Sequence, residues 1–261
     1  MCTVGADLAI FCEMSVKVAL LGFTSKGEEK MQPMLSRSLN YPRVIALSLG
    51  LVLVSGCEYM SVKGKKTADM NQSHVHIGHV MTGWKDTPEK WGLLPTAIAE
   101  AKVAAKHAGF AASKPADLAW MKTQIGHVLH AVDPSVEPKG PGLGYGVIKA
   151  AGGAAKHVGF AAKSEGASKN VKTHAVHVET SAKNLVTWGK LIVRLGKKVK
   201  AAKTADQAAP MVKKIKQLAT RLIAGEDVNG DGKITWHASE GGLKEAEKHM
   251  GFMMKGEYLT F

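Results

Sequence analysis

The residues in this chain whose types and spacing could do chemistry are its histidines, eleven in all. HVHIGH carries His76 and His79, HVLH carries His127 and His130, and HAVH carries His174 and His177. Residues three apart on a helix share a face, so each pair can point into one site. Two further histidines stand singly in similar words, His107 in AAKHAGFAA and His157 in AAKHVGFAA. Neutral imidazole is the commonest transition-metal ligand, and helical bundles build metal sites from facing helices. The three cysteines, Cys2, Cys12 and Cys57, all precede this region, so no thiolate joins the set. Inward carboxylates are few, Glu100 among them, which argues against a di-iron carboxylate centre. An all-nitrogen set suits copper, zinc, nickel or the axial positions of a haem.

His107 and His157 are the candidate cofactor ligands, because the small residues beside them leave room for a flat macrocycle. The same residues would equally let two helices approach closely. No Cys-x-x-Cys-His occurs, so any haem would be of the b type. Several imidazoles protonating together near pH 6 would also make a pH-responsive bundle. His237 and His249 lie outside the repeated words and are expected to face solvent. No serine–histidine–acid arrangement and no HExxH occurs, so a non-enzymatic binding protein is expected.

A second cation site is written near the C-terminus in DVNGDGKITWHA, Asp227 to Ala238. Asp227, Asn229 and Asp231 alternate as oxygen donors, Gly232 permits a sharp turn, and Lys233 and Thr235 follow at the next odd positions. The segment resembles an EF-hand calcium loop, with helical patterns entering (MVKKIKQLATRLIAG) and leaving (GGLKEAEKHMGFMM). That resemblance implies calcium bound by Asp227, Asn229, Asp231, the Lys233 carbonyl and Thr235. The twelfth position holds Ala238 where a bidentate glutamate belongs, so Glu240 must reach back to complete the shell. Outside the cytosol, sites as weak as about 0.1–1 mM still fill. Without a metal, the same residues would form an Asx-rich turn.

These residues must be held by helices, since strand signals are nearly absent. Leu93 to His130 superposes on the sequence fifty residues later without a gap: Ile98 on Ile148, Phe110 on Phe160, His127 on His177. Self-similarity at a fixed period marks one supersecondary unit used twice. Thr87-Pro88-Glu89 reads as the start of a helix running from about Pro88 to Ala112, and a second helix continues from Ser113–Asp117 to about Ala131. PKGPGLGYG separates the repeats. The second unit starts near Tyr145, turns at Ser164–Ser168 and runs on into the basic stretch KLIVRLGKKVKAAK. Thr204 to Gln207 resembles a capping box opening a helix to about Ala224. The expected fold is all-α: an up-down helical bundle from a duplicated hairpin, followed by an EF-hand-like helix-loop-helix. Its divisions are a His-rich bundle over 74–203, with repeats at about 93–131 and 143–181, and the EF-hand-like segment over 204–261.

The 261 residues are 45% hydrophobic and carry a formal charge of +13. Such a charge favours an acidic partner: nucleic acid, anionic lipid or an acidic envelope polymer. The N-terminal region decides against nucleic acid by implying export. MLSRSLNYPR, VIALSLGLVLV and SGC have the order of a secretory signal over 34–56, with an apolar core short of the roughly 20 residues a membrane span needs. Val54-Ser55-Gly56-Cys57 resembles the lipobox of bacterial lipoproteins, which implies that Cys57 is acylated and anchors the chain to a membrane. Residues 1–33 read as an upstream extension, and 57–73 as a polar tether. Glu58 after the cysteine leans toward the outer membrane, with the chain facing the periplasm. The basic helix Lys190–Lys203 is a solvated face, or a surface drawn to anionic lipid or an acidic envelope component. The functional expectation is therefore an exported lipoprotein for metal storage, delivery or electron transfer. The competing expectation is a calcium-stabilised structural lipoprotein with no transition metal.

Overall fold

Alanine sets how closely these helices pack. In the computed structural model, which describes residues 71–260, the helices are α1 (Gln72–Met81), α2 (Leu93–Ser113), α3 (Leu118–Val132), α4 (Val147–Lys163), α5 (Lys169–Ala201), α6 (Ala205–Ala224) and α7 (Leu243–Gly256). Ala97, Ala101, Ala104, Ala108 and Ala111 form one fully buried stripe on α2, spaced three or four residues apart. Ala150, Ala154 and Ala161 do the same on α4, with Val147 and Val158 filling the intervening turns. α2 and α4 pack against each other along these small residues. The buried alanines around His107 and His157 therefore serve close helix approach.

Branched and longer side chains fill the spaces between helices. Ile125, Leu129, Leu185, Ile192, Ile215, Leu218 and Leu222 are essentially inaccessible. Burial of each such side chain stabilises the fold by about 1.5–3 kcal/mol before the cost of ordering it. α5 is the central element, packing on α3, α4, α6 and α7. The expected all-α bundle is observed, with no strand among the described residues.

Side-chain caps explain most helix starts. Asp117 accepts from Trp120 N at 2.8 Å to open α3, and Ser168 accepts from Val171 N at 3.0 Å to open α5. Thr204 accepts from Gln207 N at 3.3 Å, while Gln207 Oε1 accepts in return from Lys203 N at 2.8 Å. One expected start is corrected. Thr87-Pro88-Glu89 makes only a 3₁₀ turn over Pro88–Lys90, and the Thr87 hydroxyl donates to the carbonyls of Trp84 and Trp91. α2 begins five residues later, after Gly92, where a Cβ would lie 2.4 Å from the Met81 carbonyl carbon. Only glycine lets α2 start against the end of α1.

The long break between repeats is held from below by Glu100. Its fully buried carboxylate accepts from Leu143 N at 3.2 Å, Tyr145 N at 2.8 Å and Gly146 N at 3.0 Å. Among the described residues no helix is long and apolar enough to cross a membrane. The upstream stretch, the signal segment and Cys57 lie outside the described residues. So does the expected tether, except that Asn71 caps α1, and Gln72 and Ser73 are already helical.

Candidate metal centres

Two sets of three histidines converge, each built by a pair on one helix and a single residue on another. At the first, His76 and His79 from α1 meet His157 from α4: Nδ1 of His157 lies 3.1 Å from Nδ1 of His76 and 3.3 Å from Nδ1 of His79. At the second, His174 and His177 from α5 meet His249 from α7: Nδ1 of His249 lies 3.0 Å from Nδ1 of His174 and 3.2 Å from Nδ1 of His177. In each set one ligand atom per residue lies within 4.8 Å of the others. The i, i+3 spacing supplies the pair, and the packing of α1 on α4 and of α5 on α7 brings in the third imidazole.

A lone imidazole cannot satisfy both of its neighbours in such a set. Nδ1 of His157 carries one lone pair or one N–H, and two Nδ1 atoms compete for it. A cation at the centre resolves that conflict. At metal–nitrogen bonds of about 2.0–2.1 Å, tetrahedral ligands stand about 3.3 Å apart, close to the two hub separations of each set. The electrostatics agree. Burial, then the neighbouring His79 and His76, pushes the His157 imidazole down to about 4. Burial and then His177 do the same to His249, also to about 4. The central imidazoles are thus neutral at pH 7, the form that ligates metal.

Aromatic rings wall both sets. Phe160 stands edge-on to His157 at 5.8 Å between ring centroids, and Phe252 stands likewise to His249 at 5.7 Å. These two phenylalanines are among the most exposed large apolar side chains of the described residues, at 49% and 47%. Trp84 lies 4.6 Å from His157 and 4.9 Å from His79; Trp236 stacks on His177 at 4.3 Å. The second set also has an outer partner: His249 Nε2 lies 3.0 Å from Oε1 of Glu245, one turn earlier on α7. Nδ1 ligation would leave a proton on Nε2 for donation to this carboxylate, which would orient the ring and raise its basicity.

The histidines expected to pair do so twice and fail once. His76 with His79 and His174 with His177 share their sites as the spacing requires. His127 and His130 do not: His130 is buried and donates from Nδ1 to the Glu137 carbonyl at 2.8 Å, tying down the loop after α3. His127 instead lies against His107, Nδ1 to Nδ1 at 3.2 Å. His157 and His107 thus occupy centres of other imidazoles. The expectation that His249 faces solvent is corrected: it is 7% exposed and is the hub of the second triad. Its signal was legible as a third copy of the same word, KHMGF at Lys248–Phe252 beside KHAGF and KHVGF. His237 is exposed as expected, stacked on Trp236.

The loop after α6 places Asp227, Asn229 and Asp231 together on the surface. Both Asp227 carboxylate oxygens accept from backbone, Gly230 N at 2.7 Å and Gly232 N at 2.8 Å, and both glycines have left-handed φ. Asp231 accepts from Lys233 N at 2.8 Å. Glu240 turns toward the loop, its Oε2 accepting from the Thr235 hydroxyl at 2.6 Å. The exiting helix begins only at Leu243, after a turn clamped by Asn184 of α5. The Asn184 amide donates to the His237 and Gly241 carbonyls and its oxygen accepts from Ser239 N. That clamp sets Trp236 on His177, so Asn184 supports the second triad although no spacing pointed to it. No protein-family model, curated protein or solved structure matches this chain, so the site's own chemistry carries the functional reading.

Proposed function

We propose that the domain binds one ion of copper or zinc at each triad, His76–His79–His157 and His174–His177–His249, and holds or hands on that metal. The observation that carries this reading is the convergence of three imidazoles, two of them with Nδ1 at 3.0–3.3 Å from Nδ1 of the third, made twice from different helices. Three neutral nitrogens with a further position open suit copper and zinc. A haem does not fit the same nitrogens. Its iron takes four pyrrole ligands in a plane and at most one imidazole on each side, whereas three imidazoles converge at each of these sets.

Calcium at Asp227, Asn229, Asp231, the Lys233 carbonyl, Thr235 and Glu240 belongs to the same proposal, supported by the Asx turns of the loop and by the contact of Glu240 with Thr235. Its role there would be structural, because the loop carries Trp236 to the second triad. Export, acylation of Cys57 and a periplasm-facing place at the outer membrane rest on residues 34–58 of the sequence. The role is non-enzymatic, and a partner for the basic surface would be an acidic envelope component or the membrane itself.

The test is elemental content, by mass spectrometry, of the untagged domain purified without chelators. Two equivalents of copper or zinc are expected, falling to one in His157→Ala and one in His249→Ala. Calcium alone, or transition metal that neither substitution reduces, would overturn the reading and leave a calcium-stabilised structural protein.

A further inference from the structure

The triads have a third relative with one ligand exchanged. Aligned on their last histidine, the paired words read HIGH at His76–His79, QIGH at Gln124–His127 and HAVH at His174–His177. The single-histidine words read KHVGF, KHAGF and KHMGF. In the structure each paired word meets one single word: α1 with α4, α5 with α7, and α3 with α2. The hub of the last is His107, whose Nδ1 lies 2.7 Å from Oε1 of Gln124 and 3.2 Å from Nδ1 of His127. The corresponding hub distances are 3.1 and 3.3 Å in the first triad and 3.0 and 3.2 Å in the second.

The agreement extends to ring orientation. His107 meets His127 at 4.7 Å and 80°, as His157 meets His79 at 4.8 Å and 81°. Phe110 stands edge-on to His107 at 5.5 Å and is itself 41% exposed, as Phe160 and Phe252 are at their sites. Gln124 is 6% exposed and its carbonyl is turned to the hub. One component is missing: among the described residues no tryptophan ring lies against His107 or His127.

We infer that His107, His127 and Gln124 form a third metal centre, in which an amide oxygen replaces one imidazole. This rests on the reading of the triads as metal sites. Two nitrogens and a neutral oxygen still accept copper(II) or zinc, but the oxygen is the poorer donor for both. The third centre therefore binds more weakly and exchanges its ion faster than the other two. The chain holds two firmly bound ions and one labile ion, and the labile one is available for transfer.

The experiment is zinc titration of the domain, with a chromogenic chelator as competitor, for the unaltered chain and for Gln124→His. Two tight equivalents and one weak one are expected for the first, and three tight equivalents for the second. Altering even outer partners of metal ligands shifts affinity about 10–100-fold, so exchanging a ligand should tighten the third site by at least about tenfold. A second arm uses His157→Ala with His249→Ala, helix content being checked by circular dichroism. One weak equivalent should remain, be abolished by His107→Ala, and tighten on adding Gln124→His. Two tight equivalents in both single-chain titrations, with nothing left after the triads are removed, would overturn the third centre and leave the triads standing. Absence of tight zinc from the unaltered chain would overturn the triads, and the His107→Ala arm would still decide the third centre.

Discussion

Glu245 should tune one triad and leave the other untouched. Its carboxylate receives the Nε2 proton of His249 at 3.0 Å, and its side chain is only 10% exposed. Among the described residues no carboxylate pairs with His157, the equivalent hub. Glu245→Gln keeps the shape and an acceptor oxygen but removes the charge. Outer-shell carboxylates of this kind are worth about 10–100-fold in metal affinity, or about 1.4–2.7 kcal/mol. Proton competition works in the other direction, since losing the anion favours the neutral imidazole further. That adds nothing at pH 7, because His249 is already pushed down to about 4 by burial and then by His177. The expected result is a loss of about 10–100-fold at His174–His177–His249 alone. Tryptophan emission separates the two triads, since Trp84 lies against one and Trp236 against the other. Copper(II) quenching, followed in Trp84→Phe and Trp236→Phe backgrounds against a competing chelator, gives both affinities. Equal weakening of both triads, or of neither, would refute the assignment of Glu245 as an orienting partner.

The metal-free domain should lose stability on acidification between about pH 6.5 and 4. Burial, followed by the neighbouring imidazoles, depresses His157 and His249 to about 4, while the unfolded chain takes up those protons near 6.5. The unfolded state therefore binds more protons across that window, and stability rises with pH through it. Melting temperature measured from pH 4 to 8 should fall below 6.5 and level off above it; a flat curve would contradict the assigned shifts. A separate expectation concerns Glu100. Glu100→Ala strands two buried N–H donors at about 1–3 kcal/mol each and a half-buried third, so denaturant unfolding should show a loss of about 2 kcal/mol or more. Glu100→Gln, which retains an acceptor oxygen, should recover part of that loss.

Local chemistry was readable wherever a few residues decide it. Asp117, Ser168 and Thr204 announce helix starts because a short polar side chain can reach an N–H two or three positions on. Thr87 misled because the close approach of Gly92 to Met81, a tertiary fact, moves the start of α2. The i, i+3 pairs at His76–His79 and His174–His177 were readable for the same local reason. Which helix supplies the third imidazole was not, because helix partners are chosen by burial of whole faces. His107 meets His127 within one hairpin, whereas the equivalent His157 and His177 find their partners on other helices. In the fold α4 gives His157 to α1, and α5 takes His249 from α7. Two signals in the letters would have helped. His130 falls on Thr180 in the repeat and Gln124 falls on His174, so the repeat itself selects Gln124 and rejects His130 as a site residue.

The exchange of partners gives the three centres different consequences for the fold. The triads join residues 81 and 75 positions apart, His76 to His157 and His174 to His249, whereas His107 and His127 are 20 apart within one hairpin. Closing a loop of about 80 residues restricts the unfolded chain more than closing one of 20, by (3/2)RT ln 4, or about 1.2 kcal/mol. An ion at either triad would thus work as a clip, fastening α1 to α4 or α7 to α5, and its departure would loosen an end helix. An ion in the hairpin bridges helices that are already joined by a short turn. Its release costs the fold least, and that is the centre where the weaker oxygen ligand stands. On the proposed reading, ligand strength and structural consequence run together: three nitrogens where a metal would fasten the fold, and an amide oxygen among the ligands where an ion would leave without disturbing it.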